Sequence, residues 1–254
     1  MPRRLGPGPS PENHPISLPE LIETVGTIVS ARERAGAREF VIEAPALAGE
    51  VKDGDSITVD GACTEPAWTQ ASPVPFPLPN PTNNDGDCRL LWSSGVPDQV
   101  YGCCEFTDAD LYAQVDVHDG PVWEDDSIEY FLKGNSDSTF DATTTKTTIN
   151  LLATVLDVDM DPPWDSTYDA NAVVFANLDG TLTAGDTDTG FVIEWRANAG
   201  FAVVPGQLGR CSFMLNDWDD QGGSPSLTQW LAFGEDVNEP LDWGICRFSC
   251  EPPG

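Results

Sequence analysis

Residues 121–132 read PVWEDDSIEYFL. Within this stretch Ile128, Tyr130 and Leu132 alternate with Glu129 and Phe131, a period of two that predicts a β-strand. Gly120-Pro121 just ahead is a turn signal. Trp123 therefore falls in a loop, whereas Glu129 lies on the strand and points away from Ile128 and Tyr130.

The same period recurs on both sides. Leu111, Ala113, Val115 and Val117 alternate with Tyr112, Gln114, Asp116 and His118, predicting a half-buried strand. Phe191, Ile193 and Trp195 alternate with Val192, Glu194 and Arg196. Thr147 to Leu156 is a long β-branched run, and Cys211–Leu215 and Trp243–Phe248 supply later strands. Helical periodicity is absent over any window of a dozen residues. The pattern predicts an all-β fold, an antiparallel two-sheet β-sandwich of jelly-roll or immunoglobulin-like type over residues 61–254.

The amino-terminal part differs in composition. Residues 1–17 are rich in Pro and Gly and are expected to be disordered. Residues 18–60 form a small N-terminal β appendage, with short strands expected at Gly26–Ser30, Glu39–Ala44 and Ser56–Val59. Arg3, Arg4, Arg32, Arg34, Arg38 and Lys52 make up half of the chain's 12 basic residues.

Acidic residues number 42, for a formal charge of -30. Such a field repels nucleic acid and anionic membrane surfaces. It fits solubility in a salty or extracellular setting, and it fits calcium, which takes carboxylate ligands. No apolar run is long enough to insert in a membrane. The 7 cysteines lack zinc-site spacing, and His14 and His118 are the only histidines. The cysteines therefore read as disulfides in an oxidising compartment, secreted or at the cell surface, with one left over. Cys103 and Cys104 are adjacent and are expected to pair with different partners. No apolar segment follows Arg3-Arg4, so no signal peptide is legible, at odds with the cysteine usage.

Trp123, Asp125, Asp126, Ser127, Glu129 and Phe131 make a W-x-D-D-S-x-E-x-F pattern. It resembles the signature of family 9 carbohydrate-binding modules, and flanking stretches resemble that family in the same order. These are DGACTEPAW (60–68), CRLLW (88–92), VYGCCEFTDADL (100–111), YAQVDVHD (112–119), FVIEWR (191–196), FMLNDWDD (213–220) and NEPLDWGICRF (238–248). The resemblance implies a non-catalytic module in which two tryptophans sandwich a terminal sugar ring while a carboxylate binds its hydroxyls. Aromatic faces suit the C–H faces of a pyranose, and carboxylate hydrogen bonds are charge-assisted. Those roles fall on Trp123 and Glu129. Trp218, flanked by Asn216 and Asp217, is the first choice for the second platform, and Trp230 is the alternative. Trp68, Trp92, Trp195 and Trp243 are assigned to the core. Loop-borne Trp164 either flanks the site or is an ordinary exposed residue. The Asp125-Asp126 pair is expected to hold loop amides or an ion.

The resemblance also implies structural Ca2+, with its ligands unassigned. Asp157, Asp159 and Asp161 have D-x-D-x-D spacing, but Pro162 stands where an EF-hand loop needs Gly. Asp108, Asp110, Asp119 and Asp186 have no distinctive spacing.

Residues 21–63 resemble something else, the start of a lumazine-binding domain as in riboflavin synthase. Ser56 and Cys63 fall at that family's ligand-contacting positions. The match stops at ITVDGAC, a string readable as the end of one family and the start of the other. A fusion there would account for the missing export signal. A half-barrel cannot enclose a pteridine, so no synthase activity is assigned. The expected partner is a polysaccharide or oligosaccharide, bound by a monomer or by part of a larger secreted protein. The alternatives are a calcium-stabilised cell-surface or adhesion sandwich without sugar binding and, remotely, a riboflavin synthase remnant.

Overall fold

The computed structural model describes residues 32–34, 37–39, 41–45, 57–76, 85–93, 98–183, 187–219, 226–233, 236 and 238–249. Strands in these residues are, in chain order, β1 Arg32–Arg34, β2 Ala37–Glu39, β3 Val41–Pro45, β4 Val74–Pro75, β5 Gly86–Ser93, β6 Gln99–Phe106, β7 Ser127–Lys133, β8 Thr144–Asn150, β9 Val155–Asp159, β10 Val173–Asp179, β11 Gly190–Asn198, β12 Leu208–Asp219, β13 Ser226–Leu231 and β14 Gly244–Ser249. The helical segments among the described residues are three short 3-10 turns, at Pro66–Gln70, Val122–Glu124 and Pro240–Asp242. Among the described residues no helix is long and apolar enough to cross a membrane.

The chain folds as a β-sandwich. The smaller sheet has the order β10-β11-β6-β5-β4, and the larger runs β3-β14-β12-β7-β8-β9. Long β12 serves two partners on one edge: Leu208–Cys211 pair with β14, and Met214–Asp219 pair with β13. All of these pairings are antiparallel except that of β3 with β14, through which Val41–Pro45 joins the larger sheet. β1 and β2 form a hairpin of their own.

Alternation along the strands fills the space between the sheets. Ile128, Tyr130 and Leu132 from β7 meet Phe191, Ile193 and Trp195 from β11, together with Leu90, Trp92, Phe213, Leu215 and Phe248. Trp195 is fully buried, its indole packed against Gly102, its cross-strand partner on β6. A Cβ at position 102 would fall 2.0 Å from the indole, so only glycine fits.

Two strand expectations are corrected. Residues 111–118 are not a strand, because their amides bond to carboxylates instead of to a neighbouring strand. The β-branched run Thr147–Leu156 folds as the hairpin of β8 and β9. Asn150 makes the turn, its Oδ1 accepting from the Leu152 and Thr154 amides. Residues 57–59 form no strand, and the Thr58 amide donates to Glu65 Oε1. The segments expected at Gly26–Ser30 and at position 56 lie outside the described residues, and Glu39–Ala44 is split between β2 and β3.

The outer face of the smaller sheet is also covered. Ile57, Cys63, Trp68 and Ala71 pack on Leu91, Tyr101 and Cys103, making the segment 57–71 a strap. A disulfide joins Cys63 to Cys103, while Cys104 bonds Cys88. Adjacent strand residues face opposite ways, so Cys103 reaches the strap and Cys104 the core. Cys63 is thus a disulfide residue, a correction to its ligand-contacting position in the lumazine-domain resemblance. Cys211 bonds Cys246.

Fully buried Glu194 fastens the strap. Its Oε2 accepts from the Asp60 and Gly61 amides at 2.9 Å each, and its Oε1 accepts from Trp68 Nε1 at 3.0 Å. Gly61 has φ +80, a conformation that favours glycine. Glu194→Ala strands three donors, two of them buried, and is expected to cost about 3–5 kcal/mol. A shift of the urea midpoint at unchanged m-value checks this.

Candidate functional site

Asp125 and Asp126 organise the entry to β7. Asp125 is 1 % exposed, and its carboxylate accepts from the Gln114 and Val115 amides at 2.9 Å and from Asn150 Nδ2 at 2.7 Å. Fully buried Asp126 takes the Tyr112 amide on one oxygen and the Trp218 amide on the other, both at 2.6 Å. Between them they tie the 112–115 segment, the β8–β9 turn and the end of β12 to the start of β7.

Trp123 stands two residues ahead of this pair, in the Val122–Glu124 turn. Val122 is fully buried and anchors the turn, leaving the Trp123 side chain 39 % exposed on the outer face of the larger sheet. Lys146 Nζ lies 5.9 Å from the Trp123 ring centroid, a cation–π distance. The same ammonium donates to Glu129 Oε2 at 2.8 Å. Asn216 Nδ2 donates to Glu129 Oε1 at 3.1 Å and to Ser127 Oγ at 3.0 Å, and Gln229 Nε2 donates to Asn216 Oδ1 at 2.8 Å. A polar row, Lys146–Glu129–Asn216–Gln229, therefore crosses β8, β7, β12 and β13 beside an exposed indole.

Four of the residues expected at a site meet here: Trp123, Glu129, Asn216 and Trp218. Trp218 donates its Nε1 to the Trp123 carbonyl at 2.9 Å, and its ring lies 6.4 Å from that of Tyr112. It buttresses the turn that carries Trp123. Asn216 is fully buried and positions Glu129. Trp230 faces the other way, because it pairs with Leu215 and packs against the central core. Asp217 lies on the opposite face of β12 from Asn216 and so does not flank the row. Trp68, Trp92, Trp195 and Trp243 are buried, as expected of core residues.

Sequence reasoning missed Lys146 and Gln229. Lys146 did leave a signal, as a lone cation inside the β-branched run TTTKTTI of a strongly acidic chain. Gln229 left none, since only the pairing of β12 with β13 sets it opposite Asn216.

Beneath the row, Asp108, Asp126 and Asp217 are all buried, with one carboxylate oxygen from each within 4.8 Å of the others. Burial first, and then the charge of Asp108, push the Asp126 carboxyl well above the usual carboxylate range. Three buried acid groups converging in this way match the hard-oxygen ligand set of a divalent cation such as Ca2+.

No family model and no curated protein matches the chain. Solved structures do. A family 9 carbohydrate-binding module from Caldicellulosiruptor kristjanssonii in complex with cellotriose aligns at TM-score 0.62 and 16% identity, over 83% of this chain and 94% of that one. A second structure of such a module from that organism, in complex with glucose, aligns at 0.59 and 15%, over 84% and 98%. A candidate carbohydrate-binding protein from Bacteroides uniformis aligns at 0.57 and 12%, over 82% and 99%. The chain thus shares the sandwich fold of carbohydrate-binding modules. Nothing in the comparisons supports the riboflavin synthase-like reading of residues 21–63.

Asp125→Ala is expected to destabilise the chain by about 2–4 kcal/mol, since three donors lose a charged acceptor. Hydrogen exchange should speed up at the Gln114 and Val115 amides while those of β11 stay protected.

Proposed function

We propose that the chain is a non-catalytic carbohydrate-binding domain that takes a terminal sugar ring against Trp123. Glu129 and Lys146 hold the sugar hydroxyls by charge-assisted hydrogen bonds. The observation that carries this reading is the juxtaposition of a half-exposed indole with the Lys146–Glu129 pair on a rigid sheet face. The sandwich neighbours with bound cellotriose and glucose support it. The reading assigns no catalytic step to any residue. Three disulfides support a secreted or cell-surface location.

Calcium belongs to the proposal as a structural ion held by Asp108, Asp126 and Asp217, where it would supply positive charge to three converging carboxylates. A second reading, a calcium-stabilised adhesion sandwich, is favoured by one observation. Trp230 faces the core and the Trp218 N–H is engaged by the Trp123 carbonyl, so neither stands as a free second platform.

Calorimetric titration with glucose, cellobiose, xylose and xylobiose separates the two readings. Saturable heat is expected, and Trp123→Ala should weaken binding at least tenfold, about 1.4 kcal/mol, with little change in Tm. No heat with any of these sugars, from a protein that calcium still stabilises, favours the adhesion reading.

The calcium assignment has its own test. With the folded Asp126 carboxyl raised, the metal-free protein binds more protons than its unfolded chain over that interval. Its stability should therefore fall as pH rises from about 4, the unfolded carboxyl's range, through the raised folded value. Calcium favours the ionised form, so the Tm gain on adding it should grow with pH over the same interval and vanish in Asp217→Asn. A gain independent of pH, or one that the variant retains, counts against the site.

A further inference from the structure

Aromatic contacts continue from the Trp123 site across the outer face of the larger sheet. Lys146 Nζ is 5.9 Å from the rings of both Trp123 and Phe131. The Phe131 ring is 5.2 Å from Trp243, Trp243 is 6.0 Å from Phe140, and Phe140 is 6.2 Å from Trp164. Phe131 and Trp243 are buried and act as a floor, while Trp164 at the far end is 56 % exposed. An exposed indole bears a hydration cost, and a pinned one has little freedom with which to avoid it.

Trp164 is pinned. The Asp159 and Asp165 backbones exchange reciprocal hydrogen bonds of 2.9 Å, closing a small loop of which Trp164 is the last member. Pro162 and Pro163 restrict the backbone within it. Phe140 meets the indole edge-on at 73°, from the cluster shared with Phe131 and Trp243. The register places this loop next to the site. Lys146 on β8 is opposite Val158 on β9, and Asp159 in turn pairs with Asp165. Two strand spacings, about 10 Å, separate the Lys146 backbone from the Asp165 backbone. An oligosaccharide of a few units reaches from Lys146 to that loop.

We infer that Trp164 is a second sugar-stacking position, so that the site takes the terminal units of a linear oligosaccharide along the Trp123–Trp164 line. The inference rests on the carbohydrate-binding reading. Chain-like ligands gain from aromatic platforms spaced along a rigid face, because each further unit adds apolar contact with little additional ordering of the protein. Ligand length is therefore the variable that Trp164 controls, and it leaves recognition of the first ring to Trp123, Glu129 and Lys146.

The test is calorimetry on the full chain with glucose, cellobiose and cellotriose and with the matching xylose series, using the wild type, Trp164→Ala, Trp164→Phe and Trp123→Ala. In one of the two series, wild-type affinity should rise about tenfold from monosaccharide to trisaccharide, about 1.4 kcal/mol. Trp164→Ala should remove that rise without changing monosaccharide affinity or Tm, and Trp164→Phe should keep most of it. Trp123→Ala should lose all lengths alike. Wild-type affinity that is independent of length, or a rise that survives Trp164→Ala, overturns the inference and leaves sugar binding intact. No binding of any of the six sugars to the wild type overturns the carbohydrate-binding reading and the inference with it.

Discussion

Two adjacent carboxylates, Asp125 and Asp126, are buried where the chain turns into β7, and a buried charge persists only where donors surround it. Here the donors are the amides of Tyr112, Gln114, Val115 and Trp218, with the side chain of Asn150. Because those donors come from three separate parts of the chain, solvating the pair draws a loop, a hairpin turn and a strand end together. The short turn that carries Trp123 is held between this cluster and buried Val122. Placement of the one half-exposed indole of the site thus follows from electrostatics that were settled two residues away.

The same pair carries a tension. Asp125 is surrounded by donors and makes a quiet structural anchor. Asp126 accepts two amides but also faces Asp108 and Asp217, and burial among like charges raises its carboxyl. One residue along the chain separates a carboxylate surrounded by donors from one set among other acids. This division follows from the extended backbone of Asp125 at the entry to β7, which turns neighbouring side chains toward different surroundings.

Both sheets are covered on their outer faces as well as between them. The strap of residues 57–71 buries Leu91, Tyr101 and Cys103 on the smaller sheet, while Phe131, Met160, Met214 and Trp243 cluster on the larger. This double covering is why all seven residues of β7 are buried although only alternate ones face the central core. It also gives the candidate site a stiff floor. The polar row and the aromatic contacts lie on a sheet face whose side chains are packed from below, so the groups around Trp123 have few other arrangements open to them.

The all-β class was legible from the sequence, and so were β7, β11 and the later strands, because a period of two records which side of a strand meets the core. So was the rule that Cys103 and Cys104 take different partners, since adjacent strand residues face opposite ways. The gathering of Trp123 with Glu129 was also within reach, as the two are six residues apart on one turn and strand. What the sequence could not decide was every relation across strands. Residues 111–118 alternate as a strand does, yet only the folded chain shows that carboxylates, not a neighbouring strand, take up their amides. Lys146 under Trp123, Gln229 on Asn216, Trp230 turned to the core, and Asp108 beside Asp126 and Asp217 all depend on register between segments far apart in the chain. Alternation within a strand is a local property of the backbone, whereas register is chosen by the whole core, and only the tertiary structure holds that choice.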